Sequence, residues 1–235
     1  WEGKYMGKEI FKPVRNKSLS KMVMESIKEV LIQKTLKPGD RLPTETELCE
    51  SLGVGKSSVR EAIKMLEVLG VVETRQGEGT YIAKKIAETS VNPLVYQLLI
   101  DDGSVSDILE LRRMFEPSYT LLALEKATDE DISRIQEVHS RFRSEVESGT
   151  QTAERDRAFH HAILDATHNP FIIRIGRTIM QLFQVSIGES MKEIPQRAVA
   201  DHEKILRAFL AHDPKALQQA VLESFDGWVS MLNKG

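Results

Sequence analysis

The chain has 235 residues, of which 41% are hydrophobic, 29% charged and 6% aromatic, a balance that excludes disordered and fibrous classes and leaves one large domain or two smaller ones. Its formal charge of −3 argues at first against a nucleic-acid partner, but residues 1–85 carry 16 Lys and Arg against 12 Asp and Glu, net +4, while residues 86–235 carry 16 against 23, net −7. A basic module joined to an acidic one suits two different partners.

The single cysteine, Cys49, excludes an internal disulfide framework and any zinc site built on several thiolates, and fits a reducing compartment. No apolar stretch approaches the roughly 18 residues that a membrane span needs. The N-terminal residues lack the apolar core of a signal peptide. The expected location is therefore the cytoplasm, with no membrane partner. Residues 1–5 precede Met6, a plausible start, and are left out of the fold reading.

From Ser18 to Lys34 the apolar residues Leu19, Met22, Val23, Ile27, Val30 and Leu31 recur at helical spacing, with Ser18 or Ser20 placed as an N-cap. Lys37-Pro38-Gly39-Asp40 cannot continue this helix and reads as a turn. Thr44 stands three residues before Glu47, a capping-box spacing that opens a short helix through Leu52 with Leu48 inward. Gly53-Val54-Gly55 ends it. Ser57 or Ser58 can cap the next helix, whose residues Val59, Ala62, Ile63, Leu66 and Leu69 form an apolar stripe while Lys56, Arg60 and Lys64 share another face. Two short helices across a glycine-containing turn form a helix-turn-helix. After Gly70, residues 71–75 and 80–83 are strand-forming runs around Gln76-Gly77-Glu78-Gly79, a hairpin with a glycine-rich tip.

Three helices and a hairpin in this order make a winged helix, an α+β unit. A basic stripe on its third helix suits the major groove, and Arg75 on the hairpin suits the adjacent minor groove. Taken alone, Lys56, Arg60 and Lys64 would more often be a solvated helix face; the order of all the pieces carries the reading.

The segment Pro38-Gly39-Asp40-Arg41-Leu42-Pro43-Thr44-Glu45, with Leu52-Gly53-Val54, Ser57-Ser58-Val59-Arg60-Glu61-Ala62 and the Gly77-Glu78-Gly79-Thr80 wing, resembles the N-terminal domain of GntR-type bacterial transcription regulators. The resemblance implies DNA contacts at Thr46, Gly55, Lys56, Ser57, Ser58, Arg60, Gln76 and Gly77, to which the basic face adds Lys64 and Arg75. Members of that family commonly have arginine where this chain has Thr46, and often at Lys56. Lysine neutralises a phosphate but lacks the fork that grips guanine, which leaves Arg60 as the expected base reader.

Residues 86–103 contain Asn92-Pro93 and Asp101-Asp102-Gly103 around an apolar segment, and read as a linker bearing a short helix. Beyond Ser104 the pattern is helical throughout, with segments near 104–127, 129–148, 151–168, 170–188, 195–211 and 213–233 separated by Asp129, Gly149, Asn169-Pro170, Pro195 and Asp213-Pro214. The expected organisation is a winged helix over 12–85, the linker over 86–103, and an all-α bundle of about six to seven helices over 104–233 that binds effector and dimerises.

Asp156 and His160 lie four apart on one helix, and His202 lies on a later one. Such a triad suits zinc, nickel or manganese, although an Asp-His pair at this spacing is more commonly a helix-face hydrogen bond. His139, His161, His168 and His212 read as surface residues or as support for the triad.

Glu110-Leu111-Arg112, Glu116-Pro117, Asp156-Arg157-Ala158-Phe159-His160, His168-Asn169-Pro170 and His202-Glu203-Lys204-Ile205 resemble the FCD effector domain of the FadR subfamily, so that the two resemblances span residues 17–230. In many such domains an aspartate and three histidines hold a metal to which a carboxylate effector bridges. The matching residues here are Asp156, His160 and His202, while Ser224 stands at the fourth position, where a neutral hydroxyl is a poor ligand: the site is either weaker and completed by water or effector, or has lost the metal and binds the effector through hydrogen bonds, with Ser224, Arg112 and Arg177 as the effector-binding candidates. Arg112 falls at the family's pocket arginine, either pairing an effector carboxylate or forming an ion pair with Glu116 one turn away. Arg177, with Arg174 and Gln181, falls on a helix that can line the same cavity.

The function implied is a homodimeric, ligand-responsive transcription regulator, usually a repressor in such families, that binds a two-fold operator in double-stranded DNA and a small organic acid or sugar acid. Other readings are a regulator sensing the metal itself, one binding a fatty acyl compound in a long apolar tunnel, and a metal-dependent hydrolase, which would leave the helix-turn-helix unexplained.

Overall fold

The computed structural model describes residues 18–85, 92–100, 105–182 and 195–232. The chain forms two compact units, Trp1–Pro93 and Leu94–Gly235. Residues 12–17, 86–91, 101–104, 183–188 and 233, on which some of the expected domain, linker and helix limits fall, lie outside the described residues. Among the described residues no helix is long and apolar enough to cross a membrane.

In the first unit α1 (Leu19–Ile32) buries Val23 and Ile27 against α3, with Ser20 beside them at 2% exposure. Leu19 and Met22, expected in the stripe, are each 48% exposed. The buried row is centred on residues 20, 23 and 27, so Met22 falls well round the helix and Leu19 to its edge. Ser18 is the N-cap residue, but its hydroxyl meets that of Ser20 at 2.5 Å and caps no amide.

Helix α2 (Glu45–Leu52) begins with the expected capping box. Thr44 Oγ1 accepts from the Glu47 amide and the Glu47 carboxylate accepts from the Thr44 amide. Gly53, left-handed at φ 65°, ends the helix. Helix α3 (Lys56–Val68) starts earlier than Ser57 or Ser58 would place it, with Gly55 as an extended N-cap and no side-chain cap. Val59, Ala62, Ile63 and Leu66 form its buried face.

Strand β1 (Val72–Arg75) pairs antiparallel with β2 (Gly79–Ile82), from Val72 opposite Ile82 to Arg75 opposite Gly79. The turn after α1 joins this ribbon: the Leu42 amide donates to Thr80 and the Ile82 amide to Asp40, each at 2.8 Å. One core of Val23, Ile27, Leu42, Leu48, Val59, Ala62, Leu66, Val72 and Ile82 therefore fixes the three helices and the wing together.

Helix α4 (Pro93–Ile100) precedes the bundle of α5 (Val105–Lys126), α6 (Asp129–Ser148), α7 (Ala153–Asp165), α8 (Pro170–Leu182), α9 (Pro195–Leu210) and α10 (Pro214–Leu232). Thr128 caps α6 in a capping box with Asp131, and Gly149 at φ 72° closes it. Helix α5 packs on α7, α8 and α10, while α6 packs on α7 and α9. The core runs through Tyr119, Ala123, Phe159, Leu164, Ile205, Phe209 and Leu217. Close approach of α8 depends on Gly176, where an added Cβ would stand 2.6 Å from Leu164 and 3.1 Å from Phe115.

Candidate nucleic-acid interface and buried Asp-His-His site

The exposed face of α3 carries Lys56, Ser57, Arg60 and Lys64, with Ser58 half-buried at its first turn and Thr46 exposed on α2. Because Gly55 offers no side-chain cap, the first amides of α3 have no side-chain acceptor, the condition in which a helix N-terminus accommodates an anion. Arg60 donates through Nε to Glu45 at 2.8 Å, an exposed pair that ties α2 to α3. At the wing, Gln76 and Gly77 form the exposed tip, with Gly77 at φ 78°. Arg75 does not extend beyond it: its guanidinium pairs with Glu73 and lies 4.3 Å from the Tyr81 ring centroid.

In the second unit Asp156 and His160 face inward one turn apart on α7, and His202 meets them from α9. All three are buried, with one ligand atom from each within 4.8 Å of the others. His202 Nε2 is 3.2 Å from His160 Nε2 and 3.4 Å from Asp156 Oδ1. A tetrahedral site with bonds of about 2.1 Å places its ligand atoms about 3.4 Å apart, so these separations fit a divalent ion. Stacking holds His202 in place, its ring 4.1 Å from that of Phe159 and 5.3 Å from that of Phe142.

His160 Nδ1 lies 2.8 Å from Glu116 Oε1. Donation there leaves Nε2 facing Asp156 and His202, the tautomer that a metal ligand needs. Glu116 also accepts from Arg112 Nε at 2.8 Å and from the Tyr119 hydroxyl at 3.5 Å. Burial raises the Glu116 carboxyl, but Arg112 and then His160 outweigh it and hold the pKa well below the usual carboxylate range. Burial likewise lowers His160, yet Glu116 and Asp156 raise it overall. His202 is driven well down by burial and by His160 and His139 beside it, and Asp156 is raised mainly by burial. A neutral His202 thus presents its nitrogen beside a histidine that a carboxylate holds in place.

The triad adjoins a narrow cavity of about 20 Å³, room for one water. Its lining residues are Arg112, Glu116, Tyr119, Arg157 and His160 with Phe115, Gly176, Ile179 and Met180, and the surface they present to it is mostly apolar.

The family described as bacterial regulatory proteins, gntR family, matches residues 19–82, and the FCD domain matches residues 107–227. The chain is a gntR-family regulator with an FCD domain. It is 34% identical over 194 residues to the HTH-type transcriptional regulator LutR of Bacillus subtilis, covering 80% of this chain and 89% of that protein. The Glc operon transcriptional activator of Escherichia coli is 28% identical, covering 86% and 84% of the two chains, and the HTH-type transcriptional repressor NanR of Cronobacter sakazakii is 26% identical, covering 95% and 90%. The Streptococcus agalactiae GntR structure superposes with a TM-score of 0.63 at 25% identity, covering 88% of this chain and 96% of that one. These relatives regulate transcription, which sets the hydrolase reading aside.

Within this gntR-family fold, the Arg112 side chain takes the ion pair with Glu116 while lining the cavity. Arg177 stands away from the cavity lining, gripping Asp165 at 2.8 and 3.0 Å. Arg174 and Gln181 are exposed on α8, and Ser224 is half-buried on α10, outside the cavity lining. His139 proves fully buried, bonded through Nε2 to Glu203 at 2.9 Å with its ring 6.3 Å from that of His202. His161 is half-buried on α7, and His168 and His212 are exposed. Sequence reasoning placed Glu116 only as a partner of Arg112 and overlooked Arg157; the i, i+4 spacing of Arg112 and Glu116 was the one signal of a buried pair, and none marked Arg157.

Proposed function

We propose that this regulator reads double-stranded operator DNA as a homodimer through α3 and the wing tip, and that a small organic acid or sugar acid entering beside the triad changes its hold on DNA. The working division is a DNA-binding unit over 12–85, a linker over 86–103 and an effector-binding, dimerising unit over 104–233. In the first unit Arg60 takes base edges, Lys56, Lys64 and the early amides of α3 with Ser57 and Ser58 take phosphates, and Thr46, Gln76 and Gly77 border the duplex. Arg75, held on Tyr81, contributes charge beside the wing. In the second unit Asp156, His160 and His202 hold a divalent metal, zinc, nickel or manganese. Once bound, it offers a Lewis-acidic position to an effector oxygen. Glu116 fixes the His160 tautomer, and Phe159 and Phe142 fix the His202 ring.

The observation that carries the effector reading is the convergence of three buried ligand atoms, at 3.2 and 3.4 Å, one of whose residues, His160, also lines a cavity together with Arg112 and Arg157. Ser224 carries a neutral hydroxyl, a poor metal ligand, which leaves the fourth position to the effector or to water. Exposed Phe171 and Ile175, one turn apart on α8, and Met114 on α5 offer apolar surface for a second copy.

Metal analysis of the purified protein, followed by thermal-shift screening of small carboxylates and sugar acids with and without chelator, tests this reading. Near-stoichiometric metal and an acid whose stabilising effect chelation weakens are expected. A metal-free protein whose melting point no acid or divalent ion moves would contradict it, and DNA binding that tracks metal concentration with no acid present would make the metal itself the signal.

A further inference from the structure

The wing holds a second arginine, Arg41, which stands outside the DNA contacts expected from the sequence. Arg41 lies in the turn that joins the ribbon and is bridged antiparallel to Tyr81, which is itself paired with Glu73. Paired residues share a face, as do residues two apart on a strand. Arg41, Tyr81 and Glu73, with Gly79 and Arg75 nearer the tip, therefore lie on the face opposite the core residues Val72 and Ile82. The two guanidiniums on this face lean in opposite directions. Arg75 folds back from the tip, 4.3 Å from the Tyr81 ring centroid and paired with Glu73. Arg41 reaches forward: its Nε and Nη2 lie 3.0 and 3.1 Å from where a Cβ on Gly79 would stand, so glycine there, at φ 111°, also makes room for the fork. Gly79 directly follows the exposed tip residues Gln76, Gly77 and Glu78. Arg41 is exposed, and among the described residues its side chain has no hydrogen bond or ion pair. Glu47 on the first turn of α2 feels its charge but is held by the Thr44 amide and hydroxyl at 2.7 and 2.8 Å. Glu78 acts on Arg75.

Resting on the reading of α3 and the wing tip as the DNA-facing surface, we propose that Arg41, and not Arg75, is the wing's contact with the DNA backbone, taking a phosphate that flanks the half-site read by α3. An exposed guanidinium beside the tip, with no carboxylate bonded to it, can neutralise a phosphate and grip two of its oxygens. Arg75 would first have to leave both Glu73 and Tyr81. Glycines at 77 and 79 leave the backbone of the tip bare, so that a phosphate strand can come within reach of the fork. Such a contact adds affinity and fixes the position of the wing, and it carries no sequence preference, because phosphates are alike at every step.

Fluorescence anisotropy of the full chain across a salt series, on a site selected from a random DNA library and on unselected duplex, tests the assignment with Arg41→Gln, Arg41→Lys, Arg75→Gln and Arg60→Ala. Arg41→Gln should lose ~5–10-fold in affinity per bound protomer on both DNAs at ~0.1 M salt, with the salt slope reduced by about 1 per protomer. Arg41→Lys should restore most of this, since an ammonium also neutralises a phosphate, and Arg75→Gln should cost no more than ~2-fold. Without DNA, Arg41→Gln should melt as wild type does, the position being exposed. A larger loss in Arg75→Gln than in Arg41→Gln, a loss confined to the selected site, or a loss that comes with a lowered melting point and that lysine does not restore would each overturn the proposal. Wild-type affinity and slope in Arg41→Gln while Arg60→Ala weakens binding would overturn the phosphate contact alone. Unchanged binding in both variants would overturn the DNA-facing reading as well.

Discussion

Arg60 and Glu116 each depend on one partner, and the two partners act differently. Glu45 holds Arg60 by one nitrogen in an exposed pair, which contributes at most about 1 kcal/mol to folding but narrows the directions the guanidinium samples before it meets DNA. Arg60→Ala should weaken binding to a site selected from a random DNA library by about 1–3 kcal/mol with the fold intact. Fluorescence anisotropy reads this, and unchanged affinity would remove Arg60 from the interface. Glu116 is buried, and it is the acceptor that leaves His160 Nε2 pointing at Asp156 and His202. Glu116→Gln should lower zinc affinity by about 10–100-fold in competition with a chromophoric chelator. Equal affinity would mean that His160 is oriented without it.

At the scale of elements, caps and close contacts decide where helices begin and how near they come. Thr128→Ala removes one half of the α6 capping box and should cost about 1 kcal/mol in denaturant unfolding. Burial raises its partner Asp131, but the Thr128 hydroxyl and amide and then His168 outweigh this and lower the pKa. The stabilisation is therefore complete above the ordinary carboxyl value of 3.8 and is lost as pH falls through the lower folded value. Asp131→Asn should flatten the acid limb of the stability profile in this range, and an unchanged limb would contradict the assignment. Gly176→Ala should destabilise the second unit by about 1–3 kcal/mol, because its Cβ would meet Leu164 at 2.6 Å; a variant as stable as wild type would show that α8 moves away at little cost.

The helices were largely legible because their signals are local: Thr44 with Glu47, Gly53, Thr128 and Asn169-Pro170 each act within a turn of the boundary they mark. Less legible were choices made by tertiary neighbours. The α1 stripe turns toward Ser20, Val23 and Ile27 because α3 lies there, and α3 starts at Lys56 because Gly55 is already extended. Spacing alone put Asp156 and His160 on one face, but only the packing of α9 on the bundle brings His202 to 3.2 Å, and only the fold shows that Arg112 pairs with Glu116.

For the whole molecule, the charge of −3 is the sum of a reader with its cations gathered on α3 and a sensor that is acidic overall, so DNA affinity should fall steeply as salt rises despite the negative total. Family relatives include both an activator and a repressor, so the sign of the response belongs to measurement. What the account requires is coupling. A carboxylate in the helical unit can alter DNA binding only by favouring one of two states, and DNA must then alter carboxylate affinity by the same factor. The decisive measurement is anisotropy of a selected DNA site titrated with metal-loaded protein, with and without a saturating carboxylate shown to bind. A change of about fivefold or more in DNA affinity, matched by a reciprocal change in carboxylate affinity, is expected. A carboxylate that binds the helical unit and leaves DNA affinity unchanged would contradict the account.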